Sequence, residues 1–244
     1  MNSGFYAACA GLKAKAQALE VLANNLANLN TTGYKTQRAT FRSVLAQASE
    51  LPLGELNKAI NDFGVLSGTH TDPTAAPLER TGNSLDLGVE GEAYFTVKAG
   101  GGEVYTRSGN FHLSPQGQLL TSQGDPVLGQ QGPITLPSGN ISVAPDGTVS
   151  VNGAVAARLR LLEFERGTEL SPIGTSNYSS SGKPGRVATG SAVRQGALEG
   201  SNVNPVQSLV ELISLQRNAE MMQRALSSFY GTFDRIAVDD LPRL

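Results

Sequence analysis

Cysteine occurs once, at Cys9, which excludes an intramolecular disulfide and any metal site built from several thiolates. A chain working outside the cell would have to stand without covalent staples. Charge is scarce as well: Asp, Glu, Lys and Arg make up 16% of the 244 residues, against ~25% in an average soluble domain. With 19 basic and 21 acidic side chains the formal charge is -2, so no positive field gathers phosphates, and this argues against nucleic acid as a partner. No apolar run approaches the ~18 residues needed to span a bilayer, so no stable membrane insertion is expected. The start, MNSGFYAACAGLKAKAQALE, puts Lys13 and Lys15 after a short apolar stretch, whereas a cleaved leader needs basic residues before a longer one.

Catalytic patterns are missing too. His70 and His112 sit in no HExxH or related metal pattern, and no GxSxG accompanies the serines. Gly100-Gly101-Gly102 lacks the lysine and hydroxyl of a phosphate-binding loop. The carboxylates of Asp86, Glu90, Glu92, Glu103, Glu163 and Glu165 are scattered, and nothing fixes a paired separation for acid and base work. Cys9, between Ala8 and Ala10 and far from either histidine, reads as a small interface residue. The chain is therefore expected to be no enzyme, with no metal and no cofactor.

What the chain does have is glycine, 28 residues, above the ~7% average, and two seam-bearing ends. Leu12, Ala16, Leu19, Ala23 and Leu26 form a heptad seam, which predicts a helix from about Gly4 or Phe5 to Ala27. Asn28 to Gly33 supplies the stop. At the other end, Ser201-Asn202-Val203-Asn204-Pro205 combines a capping residue with a proline suited to a first helical position. The helix that follows, to about residue 236, carries a stripe through Val206, Leu209, Ile213, Met222, Leu226, Phe229, Phe233 and Ile236. Gln216 and Glu220 interrupt it, a pattern that can specify register in a bundle.

The middle changes period. Leu85 to Val89 alternates, Tyr94 to Val97 is a compact strand, and turns recur at 100–102, 108–110, 115–117 and 123–126. Ile141-Ser142-Val143, Pro145-Asp146-Gly147 and Thr148 to Val151 read as a hairpin, followed by a strand from Ala157 to Phe164. Residues 36–68 admit only short helices or extended segments, and 68–82, rich in Thr and Pro, reads as an extended connector. The fold expected is mixed α and β: a discontinuous terminal α-helical coiled-coil region with an inserted antiparallel β domain. Its parts are a helix and motif at 1–35, a connector at 36–82, a β domain at 83–190 and a helical region at 191–244.

Leu22 to Lys35, with asparagines at 24, 25, 28 and 30 and with Thr31, Gly33, Tyr34 and Lys35, resembles the amino-terminal signature of bacterial flagellar rod, hook and hook-filament junction proteins. Ser201 to Asn204, with Glu211 and Gln216-Arg217, resembles that family's carboxyl-terminal motif. Thr81 to Leu87, Gly91 to Val97, Tyr105 to Phe111, Gly117 to Leu119 and Gly124 to Gly129 are similar to its β domain in the same order. Gln116 replaces the acidic residue usual before the turn glycine, and Ala93 stands where glycine is common.

The resemblance implies a structural subunit of the basal-body rod in the periplasm, exported by the flagellum's own type III apparatus without a cleaved leader. Its partners would be copies of itself, neighbouring rod proteins and that export apparatus. Length and a single middle domain resemble the proximal rod members more than the distal ones, which are the alternative; a secreted binding or adhesion module is a remoter one. Residues expected to pack between subunits are Leu12, Leu19, Leu26, Leu209, Ile213, Leu226 and Phe229. Asn24, Asn25, Asn28, Asn202 and Asn204 are expected to set junction geometry, because an amide both donates and accepts.

Overall fold

A computed structural model describes residues 3–44, 63–165, 167–168, 170–180, 182 and 184–239. Helix α1 spans Ser3–Ala27 and helix α2 spans Pro205–Asp239, and all the strands lie between them in sequence. The chain divides into two compact units: residues 1–26, 37–70 and 205–244 form one, and 27–36 with 71–204 form the other.

The helical unit contains both helices and a two-stranded sheet of Gln37–Val44 and Phe63–Thr71. Part of the stretch expected to be a connector is thus paired strand, and residues 45–62 of it lie outside the described residues. Neither described helix is long and apolar enough to cross a membrane. Pro205 opens α2, where its missing N–H costs no intrahelical bond. The 35 residues of α2 reach roughly 52 Å at the usual rise, and the helix runs on through Gly231.

The second unit is antiparallel β. Its largest sheet has six strands in the order Leu170–Ile173, Asn177–Ser180, Gly102–Thr106, Tyr94–Ala99, Leu161–Glu163, Arg186–Val187. Alternation splits the side chains of its central strands between two clusters. Phe95, Val97, Val104 and Leu161 enter the main core with Phe111, Leu119, Val127, Val149 and Leu159, whereas Tyr94, Tyr105 and Leu162 join Tyr178 on the other face. A three-stranded sheet of Ile141–Val143, Thr148–Val151 and Ala154–Arg158 contains the expected hairpin.

The expected strand from Ala157 to Phe164 is instead two strands, Ala154–Arg158 and Leu161–Glu163. The chain changes partners between them. The Leu159 N–H donates to the Gly147 carbonyl at 2.8 Å and the Arg160 N–H to the Leu128 carbonyl at 3.1 Å, so one alternating run serves two sheets. Strands also reach beyond residues 83–190. Leu78–Arg80 pairs with Ala197–Glu199, and Leu87–Glu90 pairs with Ala192–Gln195. These pairings join segments more than a hundred residues apart, so no local period announces them.

Candidate assembly site

In the helical unit, the buried face of α1 is Ala14, Ala18, Leu22 and Asn25. Leu12, Leu19 and Leu26 are half-buried, and Ala16 and Ala23 are exposed. The two stripes are offset by about 100° around the helix, so the leucine seam is distinct from the face the chain buries. Gly11 faces α2: a Cβ there would lie 3.5 Å from the Met222 sulfur and methyl.

Asn25 is the polar member of the buried face, only 3% exposed, and its amide is spent within the chain. Its Nδ2 donates to the Gln37 carbonyl at 2.8 Å, and the Gln37 N–H donates to its Oδ1 at 2.9 Å. The side chain thus imitates a neighbouring strand at the residue that begins Gln37–Val44. Asn24 is exposed. On α2, Leu209 and Ile213 are exposed together with Val206, Val210 and Met221, Val206 reaching 70%. These five positions fall on one stripe of the helix. Leu226 and Phe229 lie in α2 with side chains outside the described residues.

The β unit includes residues 27–36, and it binds them tightly. Asn28 accepts a hydrogen bond from the Thr31 hydroxyl at 3.0 Å, turning the chain as α1 ends. Gly33 has φ +69°, and a Cβ there would collide with the backbone of Arg107 and Ser108, so glycine is required by both conformation and space. The Gly33 N–H donates to the Glu199 carbonyl at 2.8 Å, and the Lys35 N–H to the Tyr178 hydroxyl at 3.0 Å. Asn202 grips the end of this strap. Its Oδ1 accepts from both the N–H and the hydroxyl of Thr36 at 2.7 Å, while its Nδ2 donates to the carbonyls of Asp72 at 3.2 Å and Thr74 at 2.9 Å. Asn204 is exposed, one residue before Pro205.

At the strap's centre lies an ion cluster from three distant segments. Lys35 and Arg107 are each 1% exposed and Glu199 is 0% exposed. Lys35 Nζ donates to Glu199 Oε1 at 2.6 Å and to the Thr74 carbonyl at 2.7 Å. Arg107 Nη1 donates to Glu199 Oε2 at 3.1 Å, and the Ala76 N–H to Oε1 at 2.9 Å. Arg107 is held further by the Val89 and Gly91 carbonyls and lies 4.7 Å from the centre of the Tyr94 ring. Burying an ion is costly unless its charge is paired and its hydrogen-bonding capacity used, and here one carboxylate serves two cations and an amide.

Burial pulls the Lys35 ammonium below the ordinary lysine range, and the Glu199 carboxylate beside it pulls the other way. Burial also raises the Tyr34 hydroxyl to about 12 and pushes those of Tyr178 and Tyr94 upward.

Of the residues expected to matter, the structure brings Asn28 and Asn202 into the β unit and Asn25 onto the strand after the strap. Sequence reasoning did not place Lys35, Arg107, Tyr178 or Glu199 in a site. Lys35 and Arg107 stand in the segments that carry the family resemblance. Glu199, an isolated acid in an Ala-Leu-Glu-Gly run, has no local signal, since its partners are 164 and 92 residues away.

Known families match along most of this architecture. Residues 5–35 match the flagella basal body rod protein family, 88–151 the flagellar hook protein FlgE/F/G D1 domain, and 194–237 the flagellar basal body rod FlgEFG protein C-terminal family. Relatives include the flagellar basal-body rod protein FlgF of Caulobacter vibrioides, 32% identical over 100% of both chains. FlgF of Salmonella typhimurium is 33% identical over 93% of this chain and 94% of its own. FlgG of Bacillus subtilis is 31% identical over 93% of this chain and 95% of its own. With identities at this level over nearly the whole length, the chain belongs to the family of flagellar basal-body rod proteins.

Proposed function

We propose that the chain is a structural subunit of the flagellar basal-body rod, polymerising along the axis into part of the torque-transmitting shaft and its export channel. Its terminal helices form an inner coiled-coil tube with those of neighbouring subunits, and the β domain inserted between them projects outward. The carrying observation is the exposed stripe of Val206, Leu209, Val210, Ile213 and Met221, with the leucine seam of α1 lying off its own buried face. Apolar stripes on both helices are what a repeating, non-closing interface needs, because each copy must complete its neighbour's core. Leu12, Leu19, Leu26, Leu209, Ile213, Leu226 and Phe229 supply that packing, and Asn24 and Asn204, exposed near the two helix ends, help to set the junction.

Within the rod, the proximal position is supported by the alignment with the Caulobacter FlgF, which takes in both chains from end to end. The segment 36–82 serves as the bridge between subunits. Export uses the flagellar type III apparatus.

The test is to express the tagged chain in a flagellated bacterium lacking its own FlgF, purify basal bodies and quantify the tag. The wild-type chain is expected in the basal body with motility restored. Val210→Asp and Ile213→Asp, which place charge in the stripe, are expected to be exported but absent from it. Incorporation of both variants at the wild-type level would sink the assembly role of the stripe. Rescue of a strain lacking FlgG, but not of one lacking FlgF, would overturn the proximal placement.

A further inference from the structure

We propose that the Lys35–Glu199 contact is a latch: a positioning element that fixes the strap between α1 and Gln37–Val44 inside the β unit, and that rod assembly requires it closed. This rests on the assembly role proposed above.

The strap is tied at separable points. Gly33, Lys35 and Thr36 donate backbone N–H groups to the Glu199 carbonyl, the Tyr178 hydroxyl and the Asn202 amide, and the Thr36 carbonyl accepts from the Asp72 N–H at 2.8 Å. Tyr178 belongs to the smaller cluster with Tyr94, Tyr105 and Leu162 and not to the main apolar core. The latch thus lies beside the main core.

Charge balance makes it possible to open the latch selectively. The cluster holds two cations and one anion, and Arg107 is fastened on its own side by the Val89 and Gly91 carbonyls and the Tyr94 ring. Replacing Lys35 by methionine removes the cation that belongs to the strap and leaves Arg107–Glu199 as a neutral pair. Methionine fills similar space without the ammonium, so Glu199 keeps a cationic partner while the strap loses its bonds to Glu199 Oε1 and the Thr74 carbonyl. Because residues 27–36 carry the chain from α1 to Gln37–Val44, a loose strap gives this stretch many conformations in place of one. A polymer that repeats one contact along its length cannot use them all.

The test uses the full chain with Lys35→Met and, separately, Tyr178→Phe, which removes only the hydroxyl that accepts the Lys35 N–H. Amide exchange is followed at Gly33 and Thr36 for the strap and at Phe95 and Val97 for the core, beside incorporation into basal bodies. Lys35→Met is expected to speed exchange at Gly33 and Thr36 at least tenfold, to leave Phe95 and Val97 unchanged, and to cut incorporation at least tenfold. Tyr178→Phe is expected to give the same pattern with a smaller change, and it decides the matter if Lys35→Met unfolds the β unit. Unchanged protection of the strap in both variants overturns the latch, as does lost protection with incorporation at the wild-type level. Failure of the wild-type chain to enter basal bodies overturns the assembly reading instead, and the exchange data alone then decide whether Lys35 holds the strap.

Discussion

Replacing Glu199 by glutamine changes few atoms and should be among the most damaging single substitutions in the β unit. The carboxylate accepts from Lys35 Nζ and the Ala76 N–H on one oxygen and from Arg107 Nη1 on the other. Glutamine keeps one acceptor and turns the other into a donor. If its nitrogen faces Arg107, two donors meet; if it faces Lys35 and Ala76, three do. In either orientation two buried cations lose their anion. Removing one partner of a buried ion pair costs about 3–5 kcal/mol, and the loss here lies toward the upper end because both cations are stranded. At about 2–4 °C per kcal/mol for a unit of this size, melting should fall by roughly 10 °C or more. Scanning calorimetry and far-ultraviolet dichroism on the full chain measure this. The double variant Lys35→Met/Glu199→Gln should be less destabilised than the sum of its two single variants, since it strands one cation in place of two. The reasoning is refuted if Glu199→Gln melts within about 2 °C of the wild type, or if the two effects simply add.

Three other outcomes are expected. Gly33→Ala should destabilise the strap by about 2 kcal/mol or more, because the residue sits at positive φ against the backbone of Arg107 and Ser108; unaltered exchange at Lys35 and Thr36 would contradict it. Asn25→Ala removes both partners of Gln37 and should cost about 2–3 kcal/mol locally, seen as faster exchange of the Gln37 amide; equal protection would show that another group holds this strand. Alkali should weaken the fold through Tyr34: an unfolded tyrosine loses its proton near pH 10, whereas the folded hydroxyl keeps its own to about 12. The folded state then binds more protons, so stability falls as pH rises from 10 to 12, by up to about 3 kcal/mol from this residue. Tyr34→Phe should flatten that part of the profile, and a denaturation series across the window that is equally steep in both proteins would refute it. Lys35 acts in the opposite sense below its ordinary range. Its lowered folded value makes stability rise with pH as the unfolded lysine approaches deprotonation.

Helix α1, with its expected end at Ala27, was legible because its apolar spacing and its Asn-rich, Gly-containing stop act over four residues or fewer. The hairpin was legible for the same reason. Gly147 takes φ +81° in the turn, and the Asp146 carboxylate receives the Thr148 N–H at 3.1 Å. The face of α1 that is actually buried was not legible, because Ala14, Ala18 and Leu22 compete with an equally regular leucine seam. Periodicity identifies an amphipathic helix without saying what covers it. The bonds of the asparagines were not legible: only the fold shows that Asn25 serves Gln37 and that Asn202 ties Thr36 to Asp72 and Thr74.

The sequence by itself determined the two terminal helices, the turn-rich β middle and the membership of a flagellar family, all written in short-range spacing and in contiguous motifs. Tertiary structure alone decided that Leu78–Arg80 pairs with Ala197–Glu199 and that one buried carboxylate at 199 holds Lys35 and Arg107. The physical reason is that pairing across a long loop changes closure entropy only slowly with length, so a chain shows no local trace of which distant residue it will meet. The partner is chosen when burial forces every stranded charge to find its counterpart.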